Sequence, residues 1–315
     1  MTINFFKPAE IFRTFCKHFS LDEDCFLSLL NTIDPVHDSA FSIVQGMNID
    51  LLTSIDDCEI VCRHITTCAD GLASIRSSGL LTLDKMLSSD TALSRFLKHY
   101  KIVISPLEHK LSLKNREYRI IGWNERCPSC PFGRTSEEIC RFGSCDYGQK
   151  MTLLHTKLYH DKSEVEAYVS GSDESMLKDY TSILNGPEIL YTIGGIINAI
   201  YPRNDPCYLQ NAWSKQRGMK RYILEFPVPL NAIDIDLRRK EKYCDSIEWY
   251  KHAGFSNEDY KQQHVPSEFY KNKMIIEVFF NAWFSNHIRK NDYCQVLPTY
   301  FISPDSIIEY KAIDM

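Results

Sequence analysis

The stretch DCEIVCRHITTCADGLASIRSSGLLTLDKML, Asp57 to Leu87, changes period once along its length. Its first part, Glu59 to Thr66, is short and β-prone, with apolar side chains at Ile60 and Cys62. That reads as a strand, and two-residue spacing sends His64 and Thr66 to one side of it. Beyond it, Thr66, Thr67 and Asp70 offer side-chain oxygens to cap a helix. Leu72, Ile75 and Leu80 follow at roughly helical spacing, and Gly79 stands where a left-handed helix end belongs. The stretch therefore predicts a strand carrying His-x-Thr, then a helix stopped at Gly79-Leu80-Leu81.

Upstream, residues 1–50 predict a helical lead-in. Ile11, Phe12, Phe15 and Phe19 recur at helix spacing, and Ser20-Leu21-Asp22-Glu23 has the form of a capping box. Pro35 interrupts the pattern. Packing against the main domain accounts for this region better than chemistry does.

Downstream, Ser88 to Tyr100 predicts a helix capped by Ser89 or Asp90, with Leu93, Phe96 and Leu97 as its stripe. Ile102 to Ser105 and Glu117 to Gly122 read as strands. Then comes C-x2-C-x9-C-x4-C: Cys127, Cys130, Cys140 and Cys145. Four thiolates on two knuckles can close a tetrahedral zinc site, with Pro128, Pro131, Gly133 and Gly143 as turn residues. The segment has little apolar content, and a metal would supply its folding energy. His155 is an alternative ligand; an iron–sulfur cluster, free thiols or two disulfides are the competing readings. A four-cysteine zinc site is closed, hence structural.

Met151 to Tyr159 and Ser163 to Val169 read as strand-like pieces around a polar turn. Pro187 and Glu188 open a helix running through Ile200. Arg221 to Pro229 is a strand, Asp234 to His264 is charged and loop-rich, and Pro266 to Lys290 reads as a long helix containing Glu277. Tyr293 to Pro298 and Tyr300 to Glu309 give two final strand-like pieces.

The chain has 315 residues, 44% hydrophobic and 24% charged, enough for one large domain or two small ones. A net charge of -5 gives no global attraction to nucleic acid, so such a partner would need a local basic patch. Lys215, Arg217, Lys220 and Arg221 form one candidate, and Arg238, Arg239, Lys240 and Lys242 another. No apolar run approaches the roughly 18 residues of a membrane span, and no basic leader precedes an apolar segment. Most of the 12 cysteines stand singly in apolar surroundings, which points to reduced thiols and a cytoplasmic location.

The strand with His64-Ile65-Thr66, followed by Leu72-Ala73-Ser74-Ile75 and Gly79-Leu80, resembles the opening of the ADP-ribosyltransferase-like families. These include the PARP-type transferases, nucleic-acid-modifying transferase toxins and RNA 2'-phosphotransferases. The resemblance is close over this stretch and loose elsewhere. Near the far end, Gln295-Val-Leu-Pro298 and Ile302-Ser-Pro-Asp-Ser-Ile-Ile308 are similar to the closing strand of that fold. The resemblance implies an α+β fold: a split, mostly antiparallel sheet with flanking helices over residues 51–315, interrupted by the cysteine-rich insertion at 123–150.

It also implies NAD as substrate. His64 and Thr66 would hold the adenosine half, and Tyr168 or Tyr159 would stack on nicotinamide. The family's catalytic Glu belongs where this chain has Gln295. A carboxamide can hydrogen-bond the ribose but can neither act as a base nor carry negative charge. Glu277 is the nearest alternative carboxylate. The expected function is mono-ADP-ribosyl transfer to an RNA or DNA acceptor rather than a protein, the zinc knuckle being suited to nucleic acid. A toxin or phage-defence role, with an inhibitory protein partner, would suit such a chain. The alternatives are a catalytically degenerate, zinc-stabilised binding protein on the same fold, and an RNA 2'-phosphotransferase, for which no Arg/His cluster is identifiable.

Overall fold

The computed structural model describes residues 1–55, 57–122, 125, 146–160, 165–179, 185–201, 205–234, 247–256, 259, 265–287 and 291–313. In chain order the elements begin with β1 (Thr2–Ile3), α1 (Pro8–His18), α2 (Glu23–Leu30), α3 (Ala40–Met47) and β2 (Glu59–Cys68). Next come α4 (Ala73–Ser78), α5 (Leu83–Ser88), α6 (Ala92–His99), β3 (Ile102–Ser105), β4 (Lys110–Leu113) and β5 (Arg116–Arg119). The middle holds α7 (Asp146–His155), β6 (Val165–Ser170), α8 (Asp173–Asp179), α9 (Glu188–Ile200) and α10 (Tyr208–Ser214). The last part holds β7 (Lys220–Pro229), β8 (Ile233–Asp234), α11 (Ile247–His252), α12 (Ser267–Trp283), β9 (Asp292–Val296) and β10 (Glu309–Ile313). Among pairings of known register the short β1–β2 contact is parallel, and β2–β6, β3–β4, β4–β5 and β8–β9 are antiparallel. The fold is thus α+β, as expected.

The chain forms two compact units, interleaved in sequence: Met1–His64 with Glu166–Asp179 and Glu225–Leu297, and Ile65–Val165 with Tyr180–Leu224 and Pro298–Met315. β2, β6 and β7 contribute residues to both.

In the first unit the strands run β7-β2-β6-β9-β8, with β1 on β2. The lead-in helices dock through aromatic rings. Phe15 stacks on Phe279 of α12 at 4.2 Å between centroids, and Phe12 and Phe26 extend the cluster. The phenylalanines that gave α1 its helical period are therefore the ones that bury it. The cap of α2 is Asp22, whose carboxylate accepts from the Cys25 N–H at 2.8 Å. The expected Ser20 cap is not formed; Ser20 takes a left-handed backbone, φ 53°.

In the second unit the strand order is β10-β7-β2, beside a separate β3-β4-β5 meander. Its core joins Leu111 and Leu113 of the meander to Met151, Leu154, Ile193 and Ile196 of α7 and α9. Gly194 lets α9 approach the chain: a Cβ there would stand 2.1 Å from the Pro206 carbonyl oxygen. Helix α4 is short. Its N-cap is Leu72, in a left-handed backbone without a side-chain cap, and not Thr66 or Thr67, which lie in β2; the Asp70 carboxylate before it accepts from the Ser74 N–H at 3.2 Å and the Ser74 hydroxyl at 2.7 Å. It ends at Gly79 (φ 71°, ψ -165°), an extended mirror conformation open to glycine rather than the left-handed helical one expected. A Cβ at Gly79 would meet the Ile302 carbonyl oxygen at 2.1 Å. Without one, the Leu80 N–H donates to that oxygen at 3.0 Å, and Leu80 and Ile302 form an antiparallel bridge.

Two local expectations are corrected. Met151 to Tyr159 is not strand but helix α7, running on into a wider π-type turn over Thr156–His160. Its buried apolar side chains Met151 and Leu154, with Leu158 of the turn, are spaced three and four apart, a helical period. Helix α6 is capped by Thr91, in a reciprocal box with Ser94, and not by Ser89 or Asp90. Cys127, Cys130, Cys140 and Cys145 lie outside the described residues. Among the described residues no helix is long and apolar enough to cross a membrane.

Candidate functional site

β2 forms as expected and runs two residues further, to Cys68. His64 and Thr66, half-buried, lie two apart on it and so share a face. His64 belongs to the first unit and Thr66 to the second. The His64 Nδ1 lies 2.8 Å from the Glu166 carbonyl oxygen. A carbonyl only accepts, so Nδ1 carries the proton and Nε2 is left as the acceptor. Burial holds the imidazole below its ordinary pKa, and the Glu166 contact opposes that shift. The ring is therefore neutral near pH 7, suited to accept a hydrogen bond from a ligand hydroxyl.

Within the first unit, β6 lies between β2 and β9 in the strand order. Cys62 on β2 and Cys294 on β9 place their sulfurs 3.7 Å apart, both buried. β2 meets β6 at the pair Arg63–Tyr168. His64 shares its face with Cys62. Alternation along β9 sends Gln295 with Tyr293, away from Cys294. Gln295 is half-buried and stands opposite Asp234 on β8.

Tyr168 is buried. Its hydroxyl donates to the Met176 carbonyl at 3.1 Å, and its ring packs on Tyr293 at 4.6 Å. Glu277 lies on α12, 3.9 Å from the Lys273 ammonium, with both side chains largely buried. Tyr159 belongs to the second unit. It stacks on His109 at 4.2 Å and donates to the Pro106 carbonyl at 2.6 Å, and burial pushes its hydroxyl up to about 12. The first unit thus holds His64, Tyr168, Glu277 and Gln295, and the second holds Thr66 and Tyr159.

Two buried polar networks were not anticipated. Glu225 is 3% exposed and receives the Arg63 guanidinium through Nε and Nη2, each 2.8 Å from Oε2; Asn4 donates to its other oxygen. Arg63 also reaches Asp173 at 3.0 Å and lies 4.0 Å over the Phe6 ring. At the start of β9, fully buried Asp292 accepts from Ser170 at 2.6 Å and from Asn281 at 3.1 and 3.2 Å. Asp179 accepts from Asn291 and from the Tyr293 hydroxyl. The signal was a charge within an apolar strand: Arg63 in EIVCRHIT and Glu225 in YILEFPV. Comparison with family models, characterised proteins and solved structures gave no match.

Proposed function

We propose that this chain transfers ADP-ribose from NAD to a nucleic-acid acceptor. The observation that supports this best is the Leu80–Ile302 bridge. Gly79-Leu80 ends the first helix of the resemblance, and Ile302-Ser303-Pro304 belongs to its closing segment. These two pieces, more than 200 residues apart, hydrogen-bond as parts of one such fold would. In this reading the His64 Nε2 accepts from an adenosine ribose hydroxyl and Thr66 adds a second contact. Of the two residues expected to address the nicotinamide ribose, Gln295 faces away from the side that His64 shares with Cys62, so Glu277 carries that role in this reading. Zinc on Cys127, Cys130, Cys140 and Cys145 would hold the insertion together and take no part in bond cleavage.

A second reading is a binding protein of the same fold without turnover. Gln295 favours it: a carboxamide stands where the family has a carboxylate, and it alternates away from the face of Cys294. Incubation with labelled NAD and mixed RNA, DNA and protein acceptors separates the two. The transferase releases nicotinamide, and His64→Ala abolishes the release. No release with any acceptor leaves the binding protein.

A further inference from the structure

The second unit carries a face on which cations and aromatic rings interleave, in a chain of net charge -5. It is built around α4. The exposed Arg76 guanidinium lies 5.4 Å from the centre of the Tyr310 ring on β10. Strand β10 is next to β7, which carries Lys220, Arg221 and Tyr222. Burial raises the Tyr222 hydroxyl, and the Arg76 charge acts in the other direction. Phe301, next to the Ile302 that bridges Leu80, is 53% exposed. The turn before β7 holds the exposed Lys215 and Arg217. A Cβ at its Gly218 would stand 3.1 Å from the Ala69 carbonyl oxygen, which puts this turn against the entry to α4.

Arg76, Lys215, Arg217 and Lys220 are exposed here, against the carboxylate of Asp305, while Glu309 and Lys311 alternate to the other side of β10 from Tyr310. A second nearby acid, Asp70, is matched by Arg95 at 3.4 Å. A duplex offers its bases only through grooves, and an acidic peptide gains little from exposed rings. An unpaired strand offers both phosphates for the cations and base faces for Tyr310 and Phe301. The Arg76–Tyr310 pairing already orders two side chains, so less freedom is lost on binding.

We infer that this face binds single-stranded nucleic acid, through Arg76, Lys215, Arg217 and Lys220 on the phosphates and Tyr310 and Phe301 on the bases. The inference deepens the proposed reading by naming the form of its acceptor.

The test is fluorescence anisotropy of a labelled uridine-rich RNA oligonucleotide and its DNA counterpart, with full-length protein and no NAD. Neutralising about four phosphates of a single strand gives a log–log salt slope near -3. The Lys215→Ala/Lys220→Ala double variant should flatten that slope by about 1.4. Tyr310→Leu should weaken binding between about fivefold and a hundredfold with the slope kept. Phe301→Ser, at an exposed position, should do the same without risk to folding. The ratio of RNA to DNA affinity then says which strand is preferred. No binding of either oligonucleotide, or binding indifferent to both aromatic variants, overturns the inference. Polyglutamate binding as tightly as the oligonucleotides also overturns it and marks an acidic protein partner. Binding kept in His64→Ala separates this face from the transfer chemistry. Oligonucleotide binding without nicotinamide release counts against the transferase alone, and release without oligonucleotide binding counts against this face alone.

Discussion

Two side chains on β2, adjacent in sequence and opposite in direction, have different jobs. Arg63 is held by Glu225 and Asp173. Removing one member of a largely buried pair leaves a charge without its counterion. Glu225→Ala should therefore destabilise the protein by about 3 kcal/mol in urea unfolding, at the low end because Asp173 remains to Arg63. His64 titrates the other way from a salt-bridged histidine. Its folded pKa lies below the ordinary value of about 6.5, so the unfolded chain takes up the proton first as pH falls. Above that value the ring is neutral in both states and contributes no pH dependence. Below it, stability falls with pH until the lowered folded pKa is reached. Unfolding curves of wild type and His64→Gln should run parallel at neutral pH. Below about pH 6.5 the wild type should lose stability faster.

At the scale of elements, the sequence told most where one period ran unbroken. The phenylalanines of α1, the strand of β2 and the apolar run of α9 behave as their patterns indicate, and the helix stops at Gly79, though not in the left-handed conformation expected there. It told least where two periods overlap. Met151, Leu154 and Leu158 fit a helix in a stretch that also reads as strand, and Tyr159 was misplaced with them. The Glu225–Arg63 pairing joins residues 162 apart, a separation that single-strand patterning does not reach. Neighbours on a strand face opposite sides, so Gln295 and Cys294 part on β9, but which of them meets β2 depends on pairing between distant strands. The cysteine-rich insertion is legible as chemistry alone. Elemental analysis of purified protein should return about one zinc per chain, and its absence would remove the knuckle from the account.

At the scale of the whole molecule, the account depends on residues near the front and the back of the chain serving one nucleotide. Cys62 and Cys294 in one unit, and Leu80 and Ile302 in the other, show that front and back segments of the sequence do meet. In the proposed reading, with or without turnover, the His64 Nε2 is the acceptor that NAD would meet. Titration calorimetry with NAD tests this directly, since it needs neither acceptor nor turnover. The account predicts one NAD per chain, weakened roughly tenfold by His64→Ala through loss of one hydrogen bond and its packing. No heat of binding, or equal affinity in the two proteins, would contradict it.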